Sequence, residues 1–172
     1  KINIERYPAI KQHLLSFGYE RLKQSGDPGA RKKTNNKWFE TQDSINYWED
    51  FNKQKIVWSD IAMTPTFSLI KEAIFFNNTC YTMTNISPYV LGILNSKIIK
   101  WYFPKIATDL GNGTRYFKQF VELLPIPRFF SNNEFISEIQ NSIESEDYIE
   151  IDKILFDYYK FNLLERGIIE SQ

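Results

Sequence analysis

The stretch YVLGILNSKIIKWYF, residues 89–103, leads through DLGNGTR at residues 109–115 into YFKQFVELLPIP at residues 116–127. In its first part, apolar side chains recur at steps of three and four residues, as an amphipathic helix requires. These side chains are Tyr89, Val90, Ile93, Leu94, Ile98 and Trp101. Ser87 and Pro88 are suited to the helix N-cap and first turn, and Pro104 ends the run. The sequence therefore predicts a helix with one buried face.

The turn that follows this helix combines glycine with positive charge. Gly111 and Gly113 can adopt positive φ angles and leave backbone N–H groups uncovered, which suits phosphate oxygens. The candidate binding residues here are Gly111, Asn112, Gly113, Thr114, Arg115 and Lys118. They are better suited to contacts with a nucleic-acid backbone than to reading bases. A connector that uses glycine for geometry alone is the alternative, and the two roles are compatible.

A second candidate segment, ARKKTNN at residues 30–36, reads as an exposed loop that ends at the aromatic pair Trp38–Phe39. Its candidate binding residues are Arg31, Lys32, Lys33, Asn35, Asn36 and Lys37. Lysine supplies point charges for phosphates, whereas guanidinium and amide groups can read base edges in the major groove. An ordinary solvated loop is the alternative. Among the aromatic residues, Trp38 is the one candidate for stacking on a base.

Elsewhere the patterns predict strands in the middle of the chain and helices at both ends. The predicted helices are residues 5–24, 134–143, 147–161 and 163–170, and the predicted strands are 55–59 and two or three within 66–83. Asn77 and Asn78 separate these last strands and are a third candidate for recognition, although a structural type I′ hairpin is the favoured interpretation. The predicted fold class is α/β, a small mixed sheet packed with helices, followed by a helical C-terminal tail. We expect one domain with a body at 1–127 and an extension at 128–172.

Composition limits the classes of function. The 172 residues include 14 Phe, 10 Tyr and 4 Trp, enough for a substantial core. Cys80 is the single cysteine and His13 the single histidine, so neither a disulfide nor a zinc site is expected, and Cys80 is interpreted as a buried small residue. The apolar runs are too short and too interrupted to cross a membrane, and an intracellular protein is expected.

Charge points to a local basic face rather than a polycation, because 21 basic side chains balance 21 acidic ones. The basic residues of the first third include Lys11, Arg21, Lys23 and the 31–37 loop, whereas residues 134–152 are strongly acidic. This segregation is a partial signal for a nucleic-acid-binding surface.

Several motifs resemble the TaqI-like C-terminal specificity domain of adenine-specific DNA methyltransferases and fused type IIG restriction–modification enzymes. They are Asn-Ser-Lys at 95–97, Gly-x-Gly-x-Arg-Tyr-Phe-Lys-Gln-Phe at 111–120 and Leu-Pro-Ile-Pro at 124–127. YPAI at 7–10, KIVW at 55–58, FFNNTCY at 75–81 and IDK at 151–153 also resemble parts of that domain, in the expected order. The glycine turn with LPIP is similar, over a shorter stretch, to target-recognition domains of type I specificity subunits.

This resemblance implies sequence-specific recognition of double-stranded DNA, with no catalysis by the chain alone. The parent protein would carry a methyltransferase domain N-terminal to this region, use S-adenosylmethionine and, if it also cleaves DNA, Mg²⁺. The Asn-Pro-Pro-aromatic loop that an adenine methyltransferase needs is missing here. Expected partners are therefore DNA and that N-terminal domain, with no membrane, in the cytoplasm.

Two other classes of function stay open. A protein-interaction or scaffold module would dock its acidic C-terminal helices on a partner. A residual nuclease would need paired carboxylates and a lysine, for which a string at residues 43–55 is available, although a solvated acidic turn explains that string better.

Overall fold

The computed structural model describes residues 2–64, 66–111, 113–127 and 133–171, with the backbone alone for Asn133. The chain forms two compact units, Lys1–Trp48 and Glu49–Gln172, called here the N-terminal and C-terminal units. Helices and two small sheets make up the fold, so the predicted α/β class is confirmed. The prediction of a mixed sheet is wrong, because the described strands pair only in antiparallel register. The division into a body at 1–127 and an extension at 128–172 stays a prediction.

The N-terminal unit contains two helices where the sequence predicts one. A 3-10 turn at Ile4–Arg6 leads into helix α1, Pro8–Leu15, and helix α2 is Tyr19–Leu22. The prediction of an unbroken helix over residues 5–24 is wrong because Gly18, with φ of 88°, takes a left-handed conformation that a helix does not continue through. Helix α1 has no buried residue, although Ile10, Leu14 and Leu15 are apolar.

In the C-terminal unit, strand β1, Lys55–Ser59, lies at the centre of a three-stranded sheet of order β3-β1-β4. Strands β3, Phe67–Ile70, and β4, Cys80–Thr84, both pair with β1 in antiparallel register. The predicted strands are therefore present. A hairpin at Asn77–Asn78 is not, because β3 and β4 lie on opposite edges and residues 71–79 must pass from one edge to the other.

Both faces of β1 are buried. Ile56 and Trp58 enter the main apolar core, where Trp58 contacts Phe67. On the other face, Lys55 is 1% exposed and its Nζ donates to three backbone carbonyls at 2.8–2.9 Å. These carbonyls belong to Phe51, Lys53 and Glu72. A buried ammonium needs such partners, and they fix the start of the 71–79 segment.

A second, two-stranded sheet follows β1 directly. Strand β2, Ile61–Ala62, pairs in antiparallel register with β5, Thr114–Arg115. The Trp58 indole N–H donates to Tyr116 O at 2.7 Å, and the Tyr116 ring stacks on Phe103 with centroids 4.2 Å apart. Burial raises the pKa of Tyr116 to about 12. This sheet holds the glycine turn against the core.

The stretch at 89–103 forms two helices rather than the predicted one: α3, Tyr89–Leu94, and α4, Lys97–Tyr102. The helix breaks at Asn95 and Ser96. The side chains of both residues form hydrogen bonds with backbone groups, which favours an interruption of the helix. Asn95 bonds to both backbone groups of Phe67, and Ser96 caps α4. Ser87 does not cap α3, whose N-cap is Pro88. The predicted burial of one face is confirmed.

The helical C-terminal region is confirmed. After the short helix α5, Lys118–Val121, come α6, Asn133–Glu144, α7, Tyr148–Tyr158, and α8, Leu163–Glu170. Ile139, Ile151, Leu155 and Ile169 place these helices in the same apolar core as the sheet. Helices α6 and α7 contact α3, while α7 and α8 contact α4.

Gly92 marks the closest approach of α3 to α6 and α7. A Cβ there would lie 3.0 Å from Ile139 and Ile151 and 3.2 Å from Ile143. Gly92→Ala is therefore expected to lower the free energy of unfolding by about 1–3 kcal/mol through overpacking. Gly167→Ala is the control, because Gly167 lies in α8 with open space around it, and this change should raise stability by roughly 0.5–1 kcal/mol. If urea denaturation showed the same change in stability for Gly92→Ala and Gly167→Ala, the close packing of α3 against α6 and α7 would be contradicted.

Asp152 joins α7 to the start of α4. It is 6% exposed, and its Oδ1 accepts the Lys97 N–H at 2.8 Å. Burial raises the pKa of Asp152 above its ordinary value, and the bond to Lys97 only partly opposes that shift. The folded protein therefore binds this proton more tightly than the unfolded chain does, and ionisation of Asp152 lowers folding stability.

We expect the stability of the wild type relative to Asp152→Asn to fall as pH rises from about 3 to about 7, because asparagine keeps an acceptor for Lys97 but does not ionise. Urea denaturation of both proteins across this range measures the difference. A difference independent of pH would show that Asp152 titrates alike in both states.

Candidate nucleic-acid interface

In the N-terminal unit, the segment of residues 31–37, called here the basic loop, is held by a buried polar side chain. Gln24 is 7% exposed and its Nε2 donates to Lys37 O at 3.0 Å and to Glu40 O at 2.8 Å. Its Oε1 accepts from the Thr34 hydroxyl, and its backbone carbonyl accepts the Thr34 N–H. The path of the loop is thus fixed by hydrogen bonds to an interior amide.

Arg31 completes this arrangement from the other side of the loop. Its guanidinium donates to Leu22 O at 2.8 Å, to Glu40 O at 3.1 Å and to Trp38 O. A guanidinium has five N–H donors, and at least three of them are used here. The structure therefore gives Arg31 a role in shaping the basic loop.

Thr34 is half-buried, whereas the side chains of Lys32, Lys33, Asn35, Asn36 and Lys37 are exposed. Lys32 pairs with Asp43, whereas Lys33 forms no ion pair with any residue that the structure describes. The Lys37 ammonium lies 5.6 Å from the centre of the Phe39 ring. An exposed ion pair is worth about 0–1 kcal/mol, so phosphate can displace Asp43 at little cost.

The two asparagines of the basic loop differ in their bonding. Asn36 Nδ2 donates to Thr41 O at 2.8 Å, which fixes the amide plane. Asn35 is exposed, and its side chain has no hydrogen-bond partner within the described parts of the chain. Asn35 is therefore the freer of the two amides.

Outside the basic loop, two lysines of the N-terminal unit are paired with acidic side chains. Lys11 pairs with Glu5 at 2.8 Å, and Lys23 pairs with Glu20 at 2.5 Å. The hydrogen bond to Glu20, and to a smaller extent the one to Asp27, raises the pKa of Lys23. Its positive charge is therefore present but is balanced by these carboxylates. Arg6 and Arg21 are exposed and form no ion pair with a described residue, so the unpaired positive charge of this unit lies both at the basic loop and on these two arginines.

Trp38 is half-buried at the end of the basic loop. Its ring makes edge contacts with Tyr19 and Phe39, at centroid distances of 6.1 and 5.4 Å. It lines a shallow cavity of about 360 Å³ together with Asn36 and Lys37. Stacking of a base on Trp38 stays a prediction.

In the C-terminal unit, residues 109–111 and 113–115 belong to a tight turn that is closed by backbone hydrogen bonds and by one carboxylate. Leu110 N–H donates to Gly113 O, and Gly111 N–H donates to Asp109 Oδ1, each at 2.8 Å. The φ angles of Gly111 and Gly113 are 78° and 156°, positive as predicted. The expectation that the turn leaves N–H groups uncovered is wrong for Gly111, because Asp109 occupies that donor.

Arg115 leaves this turn in a defined orientation. Its Nη1 lies 3.3 Å from Asp60 Oδ2, and its guanidinium lies 4.8 Å from the centre of the Phe117 ring. The side chain is 34% exposed. Pairing of Ile61 with Arg115 in the two-stranded sheet fixes its backbone. An arginine held by a carboxylate and an aromatic face presents its remaining donors in a preset direction.

The remaining predicted residues of this segment are not equivalent. Thr114 is 9% exposed, so its hydroxyl is mostly withdrawn from solvent. The Lys118 side chain is 70% exposed and its ammonium lies 3.3 Å from Glu122 Oε1. Asn112 lies outside the described residues. Arg115 and Lys118 are therefore the accessible cations of this segment.

The other residues considered from the sequence have ordinary surroundings. His13 is exposed and makes an edge contact with Phe17, and Cys80 is half-buried in β4. Within the described ranges, no three His, Cys, Asp or Glu side chains come together as a metal site would need. No described helix is long and apolar enough to span a membrane.

Gln24 and Asp60 were not predicted as parts of these two segments. Each is a single polar residue next to a predicted element, Gln24 at the end of a helix and Asp60 after β1. Their partners are mostly backbone groups far away in sequence, and no local pattern marks them.

The exposed lysine, arginine and amide groups of the two segments are chemically suited to contacts with phosphates and base edges. Residues 2–127, well over half of the chain, match the family model described as the TaqI-like C-terminal specificity domain. The chain belongs to this family. Its domains provide DNA target recognition in restriction–modification enzymes and are not themselves catalytic. A search of curated proteins found no match.

Arg31→Ala is expected to loosen the basic loop, because three carbonyls lose a charged donor. At about 2 kcal/mol, the loss corresponds to roughly 30-fold faster hydrogen exchange at the Thr34 and Gly26 amides. These amides donate to Gln24 O and Arg31 O. Lys33→Ala, which removes one exposed charge from the same loop, should leave their exchange unchanged. Wild-type exchange in Arg31→Ala would refute the role of Arg31 in shaping the loop.

Proposed function

We propose that this chain recognises a short site in double-stranded DNA for a restriction–modification enzyme whose adenine-specific methyltransferase domain lies N-terminal to it. The observation that carries the proposal is the family match over residues 2–127. It favours this class over a type I specificity subunit. In the parent enzyme, S-adenosylmethionine would be the methyl donor, and Mg²⁺ would be needed if the enzyme also cleaves. We expect the parent enzyme to act in the cytoplasm.

In the two segments, the charge and exposure of each side chain indicate whether it would contact phosphates or base edges. Lys32, Lys33, Lys37 and Lys118 are exposed cations on long side chains and suit phosphate contacts, which give salt-dependent affinity. Asn35 and Asn36 supply amides next to these cations and suit base edges.

The remaining predicted residues would act mainly through shape. Arg31 sets the path of the basic loop, while Gly111, Gly113 and Thr114 set that of the turn. Arg115 combines partial exposure with a fixed orientation and suits either a phosphate or a guanine edge. Asn112, which lies outside the described residues, stays a candidate.

A protein-interaction module is the second candidate, and one observation favours it. Helix α8 exposes Leu163 and Leu164, at 87% and 75%. Apolar side chains this exposed suit a protein partner. Such a module would bind its partner through α8 and would be indifferent to loss of charge in the basic loop.

Salt-dependent binding separates these functions. Fluorescence anisotropy with a randomised duplex pool should show binding by the chain that weakens as salt rises. The Lys33→Ala/Lys37→Ala variant should lower the slope of log K against log salt by about 2, because about one unit is lost for each phosphate contact. Lys97→Ala/Lys153→Ala is the matched control, since it removes the same charge from α4 and α7, and should behave as wild type.

Two results would overturn the proposal. If the wild type does not bind the duplex pool even at low salt, this chain does not bind double-stranded DNA. Equal loss of slope in both double variants would mean that binding reflects overall charge rather than the basic loop.

A further inference from the structure

Residues 77–79, called here the asparagine corner, form a rigid polar turn just before β4. Asn77 Oδ1 accepts from the Thr79 N–H at 3.1 Å and from the Thr79 hydroxyl at 2.6 Å. The Cys80 N–H donates to Asn77 O at 3.3 Å. The Asn77 side chain is thus used to build the turn. Asn78 lies at its tip, exposed, and its amide has no hydrogen-bond partner among the residues that the structure describes.

Asp60 connects the asparagine corner to Arg115. Its N–H donates to Thr79 O at 2.8 Å, and its carbonyl accepts the Tyr116 N–H at 2.7 Å. Its carboxylate pairs with Arg115 at 3.3 Å. Asp60 therefore holds the asparagine corner through its backbone N–H and the residue that follows β5 through its backbone carbonyl. The exposed amide of Asn78 and the guanidinium of Arg115 belong to one fixed framework.

The Asp60 carboxylate itself is incompletely satisfied. Oδ2 lies beside Arg115, whereas Oδ1 is buried and has no hydrogen-bond partner within the described chain. A buried acceptor without a partner costs folding stability. The oxygen that faces Arg115 is Oδ2, so the carboxylate orients the guanidinium through a single ion pair.

We propose that Asn78 reads a base edge beside Arg115, with adenine as its preferred base, and that Asp60 is the positioning residue of this pair. An asparagine amide offers a donor and an acceptor side by side, which match N7 and N6–H of adenine in the major groove. Because Asn77 fixes the turn, Asn78 can be directed at the groove without ordering a flexible loop. The inference rests on the proposed DNA-recognition function.

Selection from a randomised duplex pool tests this inference. The wild type should enrich a motif with adenine at one position. Asn78→Ala should lose preference at that position by about 5- to 150-fold, the range for one bidentate contact, and should keep the wild-type salt slope and the rest of the motif. Asn141→Ala, which removes another exposed amide from α6, is the matched control and should retain the full motif.

Asp60→Asn tests the positioning role separately. It removes the ion pair with Arg115 but keeps both backbone bonds of residue 60, so the corner should persist. We expect weaker base preference at the positions read by Arg115 and an unchanged salt slope, because the charge of Arg115 remains. Circular dichroism and urea denaturation establish that each variant is folded.

The possible outcomes separate this inference from the function on which it rests. If the wild type neither binds DNA nor enriches a motif, the proposed function itself fails. If the wild type enriches a motif and Asn78→Ala enriches the same one, Asn78 does not read a base. If Asp60→Asn is folded and leaves every preference unchanged, Asp60 has no positioning role.

Discussion

Burial of strand β1 on both faces is the constraint on which the C-terminal unit depends. Its core face anchors β5 through the bond from the Trp58 indole to Tyr116 O. Its other face carries Lys55, whose ammonium must find partners in the interior and takes three carbonyls from neighbouring segments. The glycine turn and the 71–79 segment are therefore both fixed by the same strand. Their candidate recognition groups extend from a rigid base and not from independent loops.

The sequence predicted most elements of the fold but not where the chain breaks. Apolar periodicity located the buried face of residues 89–101 and the C-terminal helices, because their packing follows the helical repeat. It did not predict the break at Asn95 and Ser96, where two polar side chains bond to backbone. The Asn77–Asn78 pair suggested a hairpin, because the pairing of both flanking strands with β1 leaves no trace in the local sequence.

The candidate site was predictable in its chemistry but not in how its groups are used. Runs of basic and amide residues drew attention to the 31–37 and 111–118 segments, and most of these side chains are accessible. Arg31 looked equivalent to Lys32 and Lys33 in the sequence, yet it bonds to three carbonyls within its own unit. Arg31 donates to main-chain carbonyls, and because every residue has one, the sequence does not show which of them will be its partners. Asp60 was missed because its partner, Arg115, lies 55 residues away in the sequence.

This reliance on main-chain acceptors has an evolutionary consequence. Gln24 and Arg31 hold the basic loop largely through carbonyl oxygens, with Thr34 as the one loop side chain that also takes part. Residues 32, 33 and 35 can therefore diversify without altering the path of the loop. A target-recognition domain built in this way can acquire new sequence preferences by point mutation while its scaffold stays constant. Changes at Gln24 or Arg31 would be selected against first.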